Sequence, residues 1–163
     1  MLGEDLNEAI RYCRSLSLRT RCVTNGYWAK SLKGGRQRLA GLKNAGLNEL
    51  NISTGDYYQQ FVSVEAVENA ALLGVEQGME QTLVLVEVHK GRETTAKTLW
   101  DRPEISRLRV LGDAKFKIIE SPWISTSLEV NVPQSEPYLI NRINVHLRQP
   151  CSSMLRTFGS NPL

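Results

Sequence analysis

Cysteine side chains are considered first, because thiolates ligate zinc and iron–sulfur clusters and act as nucleophiles. The chain has three, Cys13, Cys22 and Cys151. The number is odd and no two are spaced as Cys-x-x-Cys, so the sequence predicts neither a disulfide framework nor a self-contained zinc site. The simpler interpretation is three reduced thiols, since free cysteines are often buried as small apolar side chains. No metal ligand is assigned.

A second group of candidates lies where predicted β-strands end. Asn25, Ser53 and Glu87 each close or follow a run of apolar and β-branched residues, and Asp56 and His89 lie beside them. In parallel α/β folds the carboxyl ends of the strands carry the chemistry. These polar side chains are therefore candidates for a ligand site at one edge of a sheet.

Each candidate also has a structural interpretation. Asn25 precedes a glycine, and both residue types tolerate positive φ, so the pair is typical of a turn. Ser53 is a common cap or turn residue, and Asp56 would orient the loop in which it lies. A single histidine at a strand end, such as His89, is usually solvated. Both interpretations stay open for Asn25 and Ser53.

Two charged segments favour structural interpretations. Lys33-Gly34-Gly35-Arg36 invites a phosphate-binding role, but it lacks the Gly-Lys-Ser/Thr ending and the preceding strand of a P-loop. It predicts a flexible break in a helix. The glutamates at 65, 68 and 76 recur within one helical segment and predict a solvated helix face.

The periodicity of apolar residues predicts alternating helices and strands. Residues 5–18 form a helix with an apolar stripe of Leu6, Ala9, Ile10, Cys13 and Leu16. A second helix covers 28–45 and ends before Gly46, and a third begins after Ser63 and ends near Gly78, burying Val64, Val67, Ala70 and Ala71. Residues 93–100 form a short helix. Strands are predicted at 20–24, 47–53, 82–88 and 116–120.

Strand–helix–strand units that recur about every 30 residues imply parallel strands with right-handed crossovers. The sequence therefore predicts an α/β fold, a parallel sheet of repeated βα units that is part of a partial (βα) TIM-like barrel. This domain is expected over residues 1–120. Prolines and the lack of a long periodic segment predict an irregular C-terminal extension over 121–163, with short strands such as 138–147.

Composition sets the broad class. A chain of 163 residues with 41% hydrophobic and 23% charged residues suits one ordinary globular domain. No run approaches the roughly 18 apolar residues of a membrane helix, and the N-terminus lacks the features of a secretory signal. We expect a cytoplasmic protein with no membrane partner. A net charge of +3 is too small to imply nucleic acid, so none is expected, and the substrate stays unknown.

The order of the strand-end motifs resembles that of radical S-adenosylmethionine (radical SAM) enzymes. Residues 18–29, with Thr24-Asn25-Gly26, resemble the third strand of that family. Ala45-Gly46 and a strand ending in Ile52-Ser53 are similar to its next unit. Residues 56–62 are similar to the segment that follows in one subgroup, with Tyr58 where the subgroup often has His.

The resemblance implies a fold, a cofactor and two site residues. Complete relatives cleave S-adenosylmethionine with a 4Fe–4S cluster to start radical chemistry, on a TIM-like barrel. Asn25 and Ser53 would contact the cofactor, and no catalytic residue is assigned. Pro150-Cys151 resembles the start of the C-terminal region of some members, where further cysteines bind an auxiliary cluster.

The chain also departs from the family. The Cys-x-x-x-Cys-x-x-Cys motif that binds the cluster and the Gly-Gly-Glu-Pro segment are both missing. The chain resembles an internal piece of such an enzyme, inactive alone, which binds neither S-adenosylmethionine nor a cluster by itself. The alternative is a non-catalytic α/β binding or partner-docking module. A third hypothesis is an unrelated, aldolase-like barrel enzyme that uses Lys90.

Overall fold

A computed structural model describes residues 2–89 and 91–122 of the chain. Most of the predicted extension at 121–163, with its strand at 138–147 and Cys151, lies outside the described residues, as does Lys90. The account below concerns one compact unit, Met1–Val88 with Arg92–Ser121. Among the described residues no helix combines the length and the apolar character needed to cross a membrane.

The unit alternates helices and strands as the periodicity predicts. The helices are α1 (Leu2–Ser15), α2 (Leu32–Ala45), α3 (Asp56–Gln59), α4 (Val64–Glu76), α5 (Ala96–Trp100) and α6 (Pro103–Ser106). The strands are β1 (Arg21–Thr24), β2 (Glu49–Thr54), β3 (Gln81–Val88) and β4 (Phe116–Pro122). Short 3-10 helices cover Tyr27–Lys30 and Arg107–Leu111.

The four strands form one parallel sheet in the order β1-β2-β3-β4. Thr24 pairs with Ile52, and Ile52 with Val84. The Thr82 N–H donates to the Lys115 carbonyl at 2.8 Å, which brings the start of β4 beside the start of β3. The α/β fold with a parallel sheet is therefore confirmed. The spatial order follows the chain order, so this sheet lacks the reversal of a doubly wound fold.

Helix α4 packs on the sheet through small residues. Ala66, Ala70 and Gly74 recur every four residues and so share one helix face. A methyl group added at Gly74 would lie 2.5 Å from Thr82 Oγ1, and one added at Gly26 would lie 3.4 Å from Ala70 Cβ. The small side chains thus allow a close approach. Val67, Ala70 and Ala71 are buried as predicted, whereas Val64 is half-buried.

The predicted helix at 28–45 is two elements. A 3-10 turn ends at Lys30, and Ser31, in an extended conformation, caps α2 by accepting a hydrogen bond from the Gly34 N–H. The predicted break at Gly34-Gly35 is wrong, since both glycines lie inside α2. Gly35 is buried, which explains a small residue there. Gly46 ends α2 with φ 115°, as predicted.

The helix at 93–100 begins later than predicted. Thr95 caps α5 by accepting a hydrogen bond from the Thr98 N–H, and Thr98 Oγ1 accepts one from the Thr95 N–H. This reciprocal pair fixes the first turn at Ala96.

The apolar stripe of α1 is only partly buried. Ile10 is buried and Cys13 is half-buried, but Leu6, Ala9 and Leu16 are exposed.

Glu68 does not belong to a solvated helix face. It is buried on α4, and its two carboxylate oxygens accept from Arg102 Nε at 2.5 Å and Nη2 at 2.9 Å. Glu65 and Glu76 are exposed, as predicted. Sequence periodicity could not reveal the Arg102 pairing, because the partner lies 34 residues away.

Gly34→Ala and Gly35→Ala form a matched pair that tests the position of these glycines. Gly34→Ala should raise the free energy of unfolding by about 0.5–1 kcal/mol, because alanine favours helix and the nearest atom to its Cβ is Ser31 Oγ at 4.0 Å. At Gly35 the added Cβ would lie 2.8 Å from Cδ1 of buried Leu73, and overpacking of this kind costs about 1–3 kcal/mol. Gly35→Ala should therefore destabilise. Equal stabilisation in urea denaturation would contradict the packing of α2.

Candidate functional site

The carboxyl ends of β1, β2 and β3 lie along one edge of the sheet. Thr24, the last residue of β1, is opposite Ile52, and Thr54, the last residue of β2, is opposite Val86. Asn25 follows Thr24, and Ser53 follows Ile52. The structure therefore places the two predicted cofactor-binding residues at corresponding positions of neighbouring strands.

Side-chain alternation separates the two faces of the sheet. Leu50 and Thr82 point toward α4, because a methyl group added at Gly74 would contact both. Side chains two residues apart share a face. Asn51 and Ser53 of β2, and Glu87 of β3, therefore point to the opposite face, which we call the distal face.

A polar cluster of Ser53, Tyr58 and Glu87 occupies the distal face at this edge. The Tyr58 hydroxyl donates to Glu87 Oε1 at 3.3 Å. Burial raises the pKa of Glu87, opposed by this hydrogen bond. Burial also raises the pKa of Tyr58, and the charge of Glu87 adds to the effect, whereas a hydrogen bond with Ser53 lowers it. The three side chains thus interact as one group.

Two acceptor oxygens on the distal face have no protein donor. Within the described part of the chain, neither Glu87 Oε2 nor Asn51 Oδ1 has a hydrogen-bond partner, although both atoms are buried. Leaving a buried polar atom unpaired costs about 1–3 kcal/mol. Such acceptors are suited to a ligand that donates hydrogen bonds.

Gly55 allows the loop after β2 to pass close to β3. Its φ is 146°, a backbone conformation that other residues rarely adopt. A Cβ at this position would lie 2.5 Å from the Glu87 carbonyl oxygen. Any side chain at 55 would therefore push α3, and Tyr58 with it, away from Glu87.

Two other carboxylates at this edge hold loops. Asp56 accepts from the Glu93 N–H at 3.0 Å and the Thr94 N–H at 2.8 Å. The predicted loop-orienting role of Asp56 is therefore confirmed. Glu120 of β4 accepts from the Ala96 N–H at 2.8 Å, which secures the start of α5.

Asn25 makes a turn, as its structural interpretation predicts. Its Oδ1 accepts from the Tyr27 N–H at 3.1 Å, and Gly26 follows with φ 78°. The side chain is exposed, and its NH2 group is the part suited to a ligand. Ser53 is 7% exposed. Contact of either residue with a cofactor stays a prediction.

His89 is buried rather than solvated, with 9% of its surface exposed. Sequence reasoning identified Glu87 at a strand end but missed its pairing with Tyr58 and the role of Asn51. The alternation Asn51-Ile52-Ser53 was a usable signal, because it places the two polar residues on the same face.

The described cysteines do not fit an iron–sulfur cluster. Cys13 lies on α1 and Cys22 on β1, and both are half-buried. Burial raises the pKa of Cys22, which favours the neutral thiol over the thiolate that a cluster requires. In residues 2–89 and 91–122 no three His, Cys, Asp or Glu side chains are grouped to hold a metal ion.

Comparison with models of known protein families finds no match for this chain, and no curated protein matches it. The candidate site is therefore assessed from its own geometry.

Glu87→Gln tests the electrostatics of this cluster. Because the pKa of Glu87 is raised in the folded protein, ionisation disfavours folding, and this loss grows as the pH rises above the unfolded value of about 4.5. The variant should be more stable than the parent at pH 7, with a difference that shrinks toward pH 4. Tyr58→Phe removes the hydrogen bond that lowers this pKa, so its stability should fall more steeply with pH. Parallel urea-denaturation profiles from pH 4 to 8 would contradict this account.

Proposed function

We propose that this chain is part of a radical SAM domain whose sheet binds S-adenosylmethionine at the carboxyl edge of β1 and β2. One observation carries the proposal. Asn25 and Ser53, at the ends of two motifs that resemble the family, lie at corresponding positions of adjacent parallel strands. Parallel α/β sheets bind ligands at this edge. The proposed architecture is a partial (βα) TIM-like barrel, which the strand order supports.

The residues at this edge suit the polar groups of such a ligand. Ser53 can donate to or accept from a ribose hydroxyl, and the Asn25 NH2 group can donate to a carboxylate. Glu87 Oε2 and Asn51 Oδ1 are unpaired acceptors on the same face as Ser53. When bound in complete relatives, S-adenosylmethionine supplies the group that starts radical chemistry. In this chain the residues bind and orient the ligand.

The 4Fe–4S cluster is not part of the proposed activity of this chain. The described cysteines are two, on separate elements, and a cluster needs at least three thiolates in the family motif. We therefore propose that the chain alone does not cleave the cofactor. The same observation favours a second candidate, a non-catalytic α/β module that binds a ligand or docks a partner.

Ser53→Ala tests the ligand site. We expect S-adenosylmethionine to bind the purified chain, and the variant to bind about tenfold more weakly, because one hydrogen bond is worth about 1.4 kcal/mol. Equilibrium dialysis measures both. Ser106→Ala, on the exposed surface of α6, is the matched control and should bind like the parent. Equal binding by the two variants, or no binding by the folded parent, would refute the site.

Anaerobic reconstitution with iron and sulfide tests the second part of the proposal. The chain should show no broad visible absorption of a cluster and no cleavage of S-adenosylmethionine under reducing conditions. Formation of a cluster together with cleavage would show that the chain is active by itself. The thermal transition and solution size then separate a stable module from a fragment, which should be marginally stable and aggregate through an open sheet edge.

A further inference from the structure

Exposed apolar side chains concentrate in the first elements of the fold. Ten large apolar side chains are exposed among the described residues, and seven of them fall between positions 6 and 32. These are Leu6, Tyr12, Leu16, Leu18, Val23, Tyr27 and Leu32. Concentrations of this kind mark interaction surfaces more often than single exposed residues do.

Three of these side chains line one groove of about 340 Å³. Leu6 of α1, Val23 of β1 and Tyr27 form part of its wall, together with Arg38 and Leu42 of α2. We call this cavity the β1 groove. Val23 is 64% exposed, although it lies at the centre of a strand. An apolar strand residue in this environment is suited to contact with another chain.

The backbone of β1 is unpaired on the side away from β2. The Thr20 carbonyl accepts from the Glu49 N–H at 3.1 Å, and in a parallel ladder alternate residues bond to the same neighbour. The N–H and C=O groups of Arg21 and Val23 therefore point away from β2. In the part of the chain that the structure describes, β1 is the edge of the sheet. Exposed strand edges pair readily with an added strand.

Charge selects among possible occupants. Residues 1–45 contain nine Lys and Arg but three Asp and Glu. Arg38 is the charged side chain among the described residues that line the β1 groove, and no carboxylate lines it there. A second copy of this chain would bring the same positive surface and be repelled. An acidic partner would be attracted.

A lipid surface fits these observations less well. Basic and apolar residues together are also typical of membrane-surface helices. Acyl chains, however, cannot pair with the N–H and C=O groups of Arg21 and Val23, whereas an extended peptide can. The concave shape of the groove also favours a polypeptide segment.

We propose that the β1 groove docks an extended segment of a partner polypeptide, which adds a strand beside β1. Its apolar side chains alternate with acidic ones, so that one set enters the groove and the other meets the surrounding arginines. This inference goes beyond the proposed cofactor site and does not depend on it.

The test uses a blocked peptide of eight alternating Val and Glu residues, and a counterpart of Val and Lys. Titration of the full chain is followed by backbone amide NMR shifts. The Val/Glu peptide should shift the amides of β1 and bind at least about tenfold more tightly than the Val/Lys peptide, because like charges oppose docking. Absence of shifts in β1 at saturating peptide would refute the proposal.

Val23→Pro and Val23→Thr separate pairing from packing. Proline removes the outward N–H without removing a β1–β2 hydrogen bond, and proline is accepted at edge positions of this kind. It should weaken peptide binding about tenfold, the loss of one hydrogen bond. Threonine keeps the N–H and the branched shape and should bind nearly as the parent. Equal binding by both variants would show that no strand is added.

Two further measurements distinguish the other occupants. A concentration-dependent dimer that Val23→Pro abolishes in sedimentation would assign the groove to a second copy and overturn the proposal. Binding to phosphatidylcholine/phosphatidylglycerol vesicles that Leu6→Glu abolishes would assign it to lipid, with the same consequence. Dialysis of S-adenosylmethionine against Val23→Pro keeps the proposals apart, because the cofactor site should be unaffected.

Discussion

The close packing of α4 on β2 and β3 is the constraint on which the rest of the structure depends. Ala66, Ala70 and Gly74 present almost no side chain to the sheet, so the helix approaches until Gly74 meets Thr82 and Leu50. Once α4 covers one face, Ile52, Val84 and Val86 are fully buried beneath it. Each such apolar side chain contributes about 1.5–3 kcal/mol by burial.

This packing determines which polar groups reach the distal face. Since side chains alternate along a strand, covering Leu50 and Ile52 commits Asn51 and Ser53 to the other side. The carboxylates near the strand ends then differ in role. Asp56 binds backbone N–H groups, whereas Glu87 keeps one oxygen without a protein partner. An unpaired buried oxygen is a cost to stability that a binding function would explain.

The fold presents two separate surfaces for interaction. The carboxyl edge is polar and is built from residues that follow strands, with Gly55 allowing Tyr58 to reach Glu87. The β1 groove is apolar and basic, and it ends the sheet at an unpaired strand. The two surfaces recognise different chemistry, because one offers hydrogen-bond acceptors and the other offers apolar contact and positive charge.

The sequence by itself determined the element order, the parallel α/β class and the position of Asn25 and Ser53 at one sheet edge, because these follow from local periodicity and from short crossovers. It misjudged Gly34-Gly35, whose place inside α2 depends on contact with Leu73, and Glu68, whose partner Arg102 is distant in the chain. Only the tertiary structure decided that Tyr58 meets Glu87, 29 residues away, and that β1 is an open edge. Such pairings depend on how separate elements pack, and no local pattern encodes that.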